Sequence, residues 1–186
     1  MKEQIELNPW TTLSRSQIYE TPWFRVVECK CLNPKQKPAN YGVVEFKNLA
    51  IGVLALDSLK NIYLVGQWRF PLEKYSWEIP EGGCLIGRDP LEEAKRELKE
   101  ETGLVATQWK KYFEMHLSNS VTDELAIVYL AEGLSQNIAT PEETEVLQIK
   151  KLHLNKAYQM IVKGEITDAI SVAAIQRLYI EQKEVY

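Results

Sequence analysis

Four runs rich in β-branched and aromatic residues follow one another between residues 23 and 68: WFRVVECKC (23–31), NYGVVEF (40–46), AIGVLAL (50–56) and NIYLVGQW (61–68). Clusters of Pro, Asn, Asp and Lys separate them. Each run therefore reads as a short strand, and their succession implies a mixed or antiparallel sheet. The segment NPKQKPAN (33–40), with two prolines among polar residues, is the best hairpin loop, and it is too short for an interdomain linker.

Helical signals begin at Asp89, a capping residue followed by Pro90 at the first helical position, with Glu92 three residues after the cap as in a capping box. Gly103 supplies the stop, so a helix is predicted over 90–102, with Leu91, Ala94 and Leu98 as its apolar stripe. WKKYFEMHL (109–117) and LAIVYLAEGL (125–134) read as strands, SQNIATPEETE (135–145) as a polar loop, and VLQIKKL (146–152) as a further strand. Two helices close the chain, over 154–164 and over 167–182, the second capped by Thr167 or Asp168.

The predicted helix at 90–102 crowds Glu97, Glu100 and Glu101 onto one face, and Glu93 extends that face back one turn. Like charges at these spacings repel, and near a helix C-terminus the macrodipole disfavours anions. Glu92 can pair with Arg96, while Lys95 and Lys99 flank the cluster, so a solvated, salt-bridged face is the ordinary explanation of such a run. Two features favour a ligand instead. A Gly-Gly turn, PEGG (80–83), precedes the helix and permits close approach of backbone to a ligand. Carboxylate oxygens are also the hard donors that magnesium prefers, and metal held there could in turn hold a diphosphate.

Composition narrows the field of partners. A net charge of -4 over 186 residues gives no basic footprint for nucleic acid. No stretch approaches the roughly 20 apolar residues that span a bilayer. Nor does the N-terminal segment have the pattern of a signal peptide, so the cytoplasm is expected. Cys29, Cys31 and Cys84 form no pairing framework and are expected as reduced thiols. His116 and His153 are isolated, so neither a metal cluster with the cysteines nor a Ser-His-Asp triad is supported. Trp23, Phe24, Trp68 and Trp77 could offer a stacking face for a base, although core or interface is the commoner use of such residues.

Gly82, then thirteen residues, then Arg96-Glu97-Leu98-Lys99-Glu100-Glu101-Thr102-Gly103-Leu104 resembles the Nudix box, whose pattern is Gly, five residues, Glu, seven residues, Arg-Glu-aliphatic-any-Glu-Glu-any-Gly-aliphatic. Every fixed position matches except the first Glu, where Arg88 stands. VGQWRFPLEKYSWEIPEGG (65–83) and GEITDAISVAAI (164–175) are similar to the corresponding segments of the ADP-ribose and nucleoside diphosphate sugar pyrophosphatase branch of that family. The resemblance covers roughly residues 10–182. It implies an α/β fold, the Nudix α/β/α sandwich with a mixed sheet, over 47–186, plus an N-terminal antiparallel β extension over 1–46 that builds a homodimer.

Position by position, the resemblance implies Glu97, Glu100, Glu101 and the backbone carbonyl of Glu81 as metal ligands, with Mg2+, or Mn2+ in its place, as the cofactor. Arg96 would orient the glutamates, with Gly82, Gly83 and Gly103 as structural support. Arg69 and Glu124 would contact substrate. Among Glu142, Glu143 and Glu145 in TPEETEV, Glu145 is favoured as the base that activates water, with Glu124 second. Ser120 stands where a Pro marks ADP-ribose preference, which leaves base and sugar open. The implied reaction is metal-dependent hydrolysis of a nucleoside diphosphate sugar to a nucleoside monophosphate and a sugar phosphate. The same chemistry on a free nucleotide, a dinucleoside polyphosphate or a capped RNA end is a second reading, and a nucleotide-sugar-binding regulator without turnover is a third.

Overall fold

The structure is a computed structural model that describes residues 7–137 and 147–183, and the chain divides into two compact units. One comprises Met1–Asn48 with Ser118–Glu124, the other Leu49–Leu117 with Leu125–Tyr186.

In the first unit, β1 (Thr11–Glu20), β2 (Phe24–Leu32) and β3 (Pro38–Phe46) form an antiparallel sheet in that order. Alternation along β2 sends Val27, Cys29 and Cys31 inward, and all three cysteines of the chain are buried free thiols. The β2–β3 turn falls where the two prolines were expected to place it. Asn33 Oδ1 accepts from the amides of Lys35 and Lys37 at 2.9 and 3.1 Å, the Asx geometry that makes Asn a turn former. Strand β1 was not among the expected strands, because TTLSRSQIYE has no buried face to impose alternation: all ten of its residues are exposed. The segment 118–124 joins this unit through the Val44 amide on the Val121 carbonyl at 2.9 Å and the Tyr41 hydroxyl on the Ser120 carbonyl at 2.6 Å.

The second unit holds β4 (Asn48–Ala55), β5 (Asn61–Arg69), β6 (Lys74–Glu78), β7 (Glu81–Leu85), β8 (Leu104–His116), β9 (Leu125–Gln136) and β10 (Gln148–His153). Its helices are α1 (Pro90–Thr102), α2 (Leu154–Val162) and α3 (Ala169–Lys183). One sheet runs β7-β4-β9-β8, with β4 and β9 parallel and β8 and β9 antiparallel; the other runs β10-β5-β6, all antiparallel. Alternate residues of β4 and β9 face opposite cores. Ile51, Val53, Ile127 and Tyr129 pack with Ala94 and Leu98 of α1, whereas Leu54, Ala126 and Val128 pack with Ala157 of α2 and Ile170, Ala174 and Ile175 of α3. Helices thus cover the sheet on both faces, the expected α/β/α sandwich with a mixed sheet. No helix among the described residues is long and apolar enough to cross a membrane.

Three local expectations are corrected. The glycines of PEGG are not in a turn: the chain bends at Ile79–Pro80, and Gly82 and Gly83 lie within β7. Glu92 does not close a capping box or pair with Arg96; its carboxylate takes Lys95 at 2.7 Å, and Asp89 alone caps α1 by accepting from the Leu91 amide at 2.9 Å. Strand β8 begins at Leu104 rather than 109, directly after the left-handed Gly103 (φ 70°) whose amide donates to the Lys99 carbonyl.

Candidate active site

Helix α1 lies against β7 with its Glu97 and Glu101 side turned inward. Both residues are buried, at 9% and 2% exposure, whereas Glu100 is half-buried. Burying two adjacent acids is costly unless they are partnered, and the partners are visible. The Glu81 amide at the start of β7 donates to Glu101 Oε2 at 3.0 Å. Gly82 approaches Glu97 so closely that a Cβ there would overlap its carboxylate. The need for glycine is therefore steric, set by an acid side chain of α1 and not by backbone dihedrals, since neither Gly82 nor Gly83 has positive φ.

Arg96 divides its guanidinium among three acids. Nε donates to Glu93 at 2.7 Å, Nη1 to Glu100 and Nη2 to Glu97. Burial opposes the charge on Arg96, but the hydrogen bond it donates to Glu93 and the charges of Glu97 and Glu100 raise its pKa above the usual arginine range. The same hydrogen bond, followed by Arg88, holds Glu93 below the ordinary glutamate value. Arg88, in place of the box acid, lies 3.4 Å from Glu93 Oε1. In this arrangement no group of three or more His, Cys, Asp or Glu among the described residues converges to hold one metal ion.

A second polar cluster adjoins β7 on its other side. Arg69, at the end of β5, straddles Glu78 with Nε 3.0 Å from both carboxylate oxygens and Nη2 on Oε2, a fork geometry that charge-assists each bond. Glu78 is only 3% exposed, so Arg69 neutralises an otherwise buried charge. The Glu81 side chain accepts from Ser171 Oγ at 3.2 Å, and Ser171 in turn receives the Ile79 amide at 2.9 Å. Asp168 caps α3 through the Ser171 amide at 2.7 Å. Burial first, then the charge of Asp168 and a hydrogen bond to it, pushes the Glu81 carboxyl well above the usual range. Arg69, Ser76, Glu78, Thr167 and Asp168, with Pro71 and Leu72, line a cavity of about 200 Å³ beside this cluster.

The structure therefore brings Glu81, Gly82, Arg96, Glu97, Glu100 and Glu101 together, with Gly83 beside them in β7 and Gly103 closing α1. Arg69 belongs to the Glu78–Asp168 cluster. Glu124 is in the segment that goes with the first unit, where its amide contacts Thr122 Oγ1 at 3.4 Å. Glu145 lies outside the described residues. His153 caps α2, accepting from the Asn155 amide at 3.2 Å, and takes no part in a catalytic set. Trp77 carries Lys150 over its ring at 3.7 Å and packs edge-on against Tyr75, so it is not free to stack a base. The sequence pointed to Asp168 only as a candidate cap of the last helix and to neither Glu78 nor Ser171 as part of a site; the available signal was the acid spacing in WEIPEGG, where Glu78 and Glu81 flank the bend.

Residues 47–173 match the model of the NUDIX domain, and residues 10–44 match the nucleoside diphosphate sugar hydrolase N-terminal domain. An ADP-ribose pyrophosphatase of Bacillus subtilis (strain 168) is 36% identical over 175 residues, covering 93% of each chain. A methanol dehydrogenase activator of Bacillus methanolicus is 37% identical over 135 residues, 72% of this chain and 73% of that one. The crystal structure of an ADP compounds hydrolase superposes with a TM-score of 0.84 at 18% identity, covering 97% of this chain and 98% of its own, a likeness of fold.

Proposed function

The chain belongs to the NUDIX domain family, whose hydrolases act on phosphoric anhydride bonds, and we propose that it cleaves nucleoside diphosphate sugars such as ADP-ribose or GDP-mannose to a nucleoside monophosphate and a sugar phosphate. The observation that carries this reading is the inward-facing glutamate side of α1, backed by β7 through the Glu81 amide on Glu101 and the close approach of Gly82 to Glu97.

The donor set is one of hard oxygens: the carboxylates of Glu97, Glu100 and Glu101 and the carbonyl of Glu81, which suit Mg2+ or Mn2+. Arg96 takes one carboxylate oxygen of Glu97 and one of Glu100, and so orients both side chains. A divalent metal bound there would neutralise the diphosphate and lower the pKa of the attacking water. Arg69 supplies a fixed cation for a substrate phosphate, Glu124 is assigned a substrate contact, and Glu145 is assigned the proton of the attacking water.

The N-terminal unit is assigned to a homodimer. Strand β1 is an edge strand exposed on both faces, carrying Leu13, Ile18 and Tyr19 at 58–64% exposure, and an unprotected edge of this kind is a template for pairing. Three free thiols support a reducing compartment, the cytoplasm. The acidic balance supports a small-molecule substrate over nucleic acid.

Purified protein assayed with Mg2+ and Mn2+ on a panel of ADP-ribose, GDP-mannose and UDP-glucose is expected to release the monophosphate, and Glu101→Gln to abolish release while the fold is retained. No turnover across the panel overturns the proposal. A second reading, a nucleotide-sugar-binding regulator without turnover, draws support from the likeness to the methanol dehydrogenase activator. Tight binding without product would select it.

A further inference from the structure

Arg88 removes an acid from the start of the box, yet the guanidinium of Arg96 still has a carboxylate on every edge. The third carboxylate comes from within the helix. Glu93, one turn before Glu97, takes Arg96 Nε at 2.7 Å, which leaves Nη1 for Glu100 and Nη2 for Glu97. A guanidinium is rigid and planar, so fixing its Nε edge fixes the direction of both Nη groups. The Glu93 side chain is well placed for this, at 13% exposure against 38% for Arg96. Arg88 stands behind it at 3.4 Å from the oxygen that Arg96 does not use, so the two carboxylate oxygens of Glu93 face two different arginines.

We propose that Glu93 is a positioning residue of the glutamate site: backed by Arg88, it holds Arg96 by Nε and so sets where Glu97 and Glu100 present their carboxylates. The inference rests on the glutamate face being a metal site. An acid that acts through an arginine on two ligands belongs to the outer layer of such a site, where loss of a partner costs about 10- to 100-fold in metal affinity. Arg88, at 64% side-chain exposure, contributes less, because an exposed ion pair at that distance is worth little.

The test has a metal arm and a metal-free arm. Mn2+ titrations followed by electron paramagnetic resonance compare the wild type with Glu93→Gln, Glu93→Asp and Arg88→Leu. The expected result is at least a tenfold loss of affinity in Glu93→Gln, a smaller loss in Glu93→Asp, which keeps a carboxylate, and little change in Arg88→Leu. Wild-type affinity in Glu93→Gln, or equal losses in the Gln and Asp variants, overturns the proposal. The second arm follows the Arg96 Nε–H resonance by 15N NMR in metal-free protein, where Glu93→Gln is expected to shift it upfield and speed its exchange with water. An unchanged resonance overturns the positioning role, whereas a wild type that binds no Mn2+ but loses the resonance in Glu93→Gln overturns only the metal-dependent reading of the site.

Discussion

Ser171 donates its hydroxyl to Glu81 Oε1 at 3.2 Å, while the backbone amide of the same Glu81 donates to Glu101 at 3.0 Å. One residue of β7 thus ties the N-terminal turn of α3 to the inner face of α1. The pKa of its carboxyl is raised by burial and by Asp168 and Glu78, and its amide fixes an acid proposed to bind metal. The side chain and the backbone of Glu81 consequently have separable roles.

Separability yields a pH prediction. Burial and Asp168 keep the Glu81 carboxyl protonated above its ordinary value of 4.5, so from that pH upward the native state holds a proton that the unfolded chain has released. Stability is then fully expressed below the unfolded pKa and declines as pH rises towards the folded one, by at most about 1.4 kcal/mol per pH unit. Glu81→Gln fixes the neutral form. Denaturant midpoints measured in chelator from pH 5 to pH 8 are expected to show the variant gaining on the wild type as pH rises; parallel profiles would contradict the assignment.

Gly82→Ala tests the steric need for glycine in β7. The added Cβ overlaps the end of the Glu97 side chain, which must swing aside, and Gly82 has no positive φ to be strained. Because Glu97 is buried and held by Arg96, the expected cost in stability is about 1–3 kcal/mol. The carboxylate of Glu97 is displaced, so Mn2+ affinity is expected to fall by about tenfold or more. Calorimetry of unfolding and of Mn2+ binding on one preparation measures both.

Some of this organisation could be read in the chain and some could not, for physical reasons. Helix α1 was legible to the residue because Asp89-Pro90 and Gly103 punctuate both its ends. The core strands β4, β5 and β9 were legible because burial imposes apolar runs on them. Strands β6 and β7, five residues each, lack such a run, and two glycines in β7 imitate a turn. The acids of α1 pointed to the site, but Arg96 has candidate acids at i−4, i−3, i+1 and i+4, and only side-chain geometry selects Glu93 over Glu92. The Glu81–Ser171 contact joins residues ninety apart and has no local signal.

Arg69 offers a test of a buried charge pair. Glu78 is nearly inaccessible and receives Arg69 on both oxygens, so Arg69→Ala strands a carboxylate and is expected to destabilise the protein by about 2–3 kcal/mol. Lys at position 69 keeps the charge but not the planar fork, and is expected to recover only part of the loss. Adding Glu78→Gln to Arg69→Ala removes the stranded charge, so the double variant is expected to be more stable than Arg69→Ala alone, as a double-mutant cycle in urea would register.

Strand β1 supplies the last prediction. Among the described residues its outer edge has no partner strand in the sheet order β1-β2-β3, and Leu13, Ile18 and Tyr19 stay exposed along it. Pairing of two such edges would satisfy one row of backbone groups and cover the apolar side chains at once. Light scattering after size exclusion is expected to give twice the chain mass of 21.5 kDa for the wild type. Leu13→Glu with Ile18→Glu places four like charges across a two-fold interface and is expected to give the monomer mass, with circular dichroism unchanged because neither side chain is buried within the chain. A wild-type monomer, or a charged variant that still dimerises, would refute pairing through this edge.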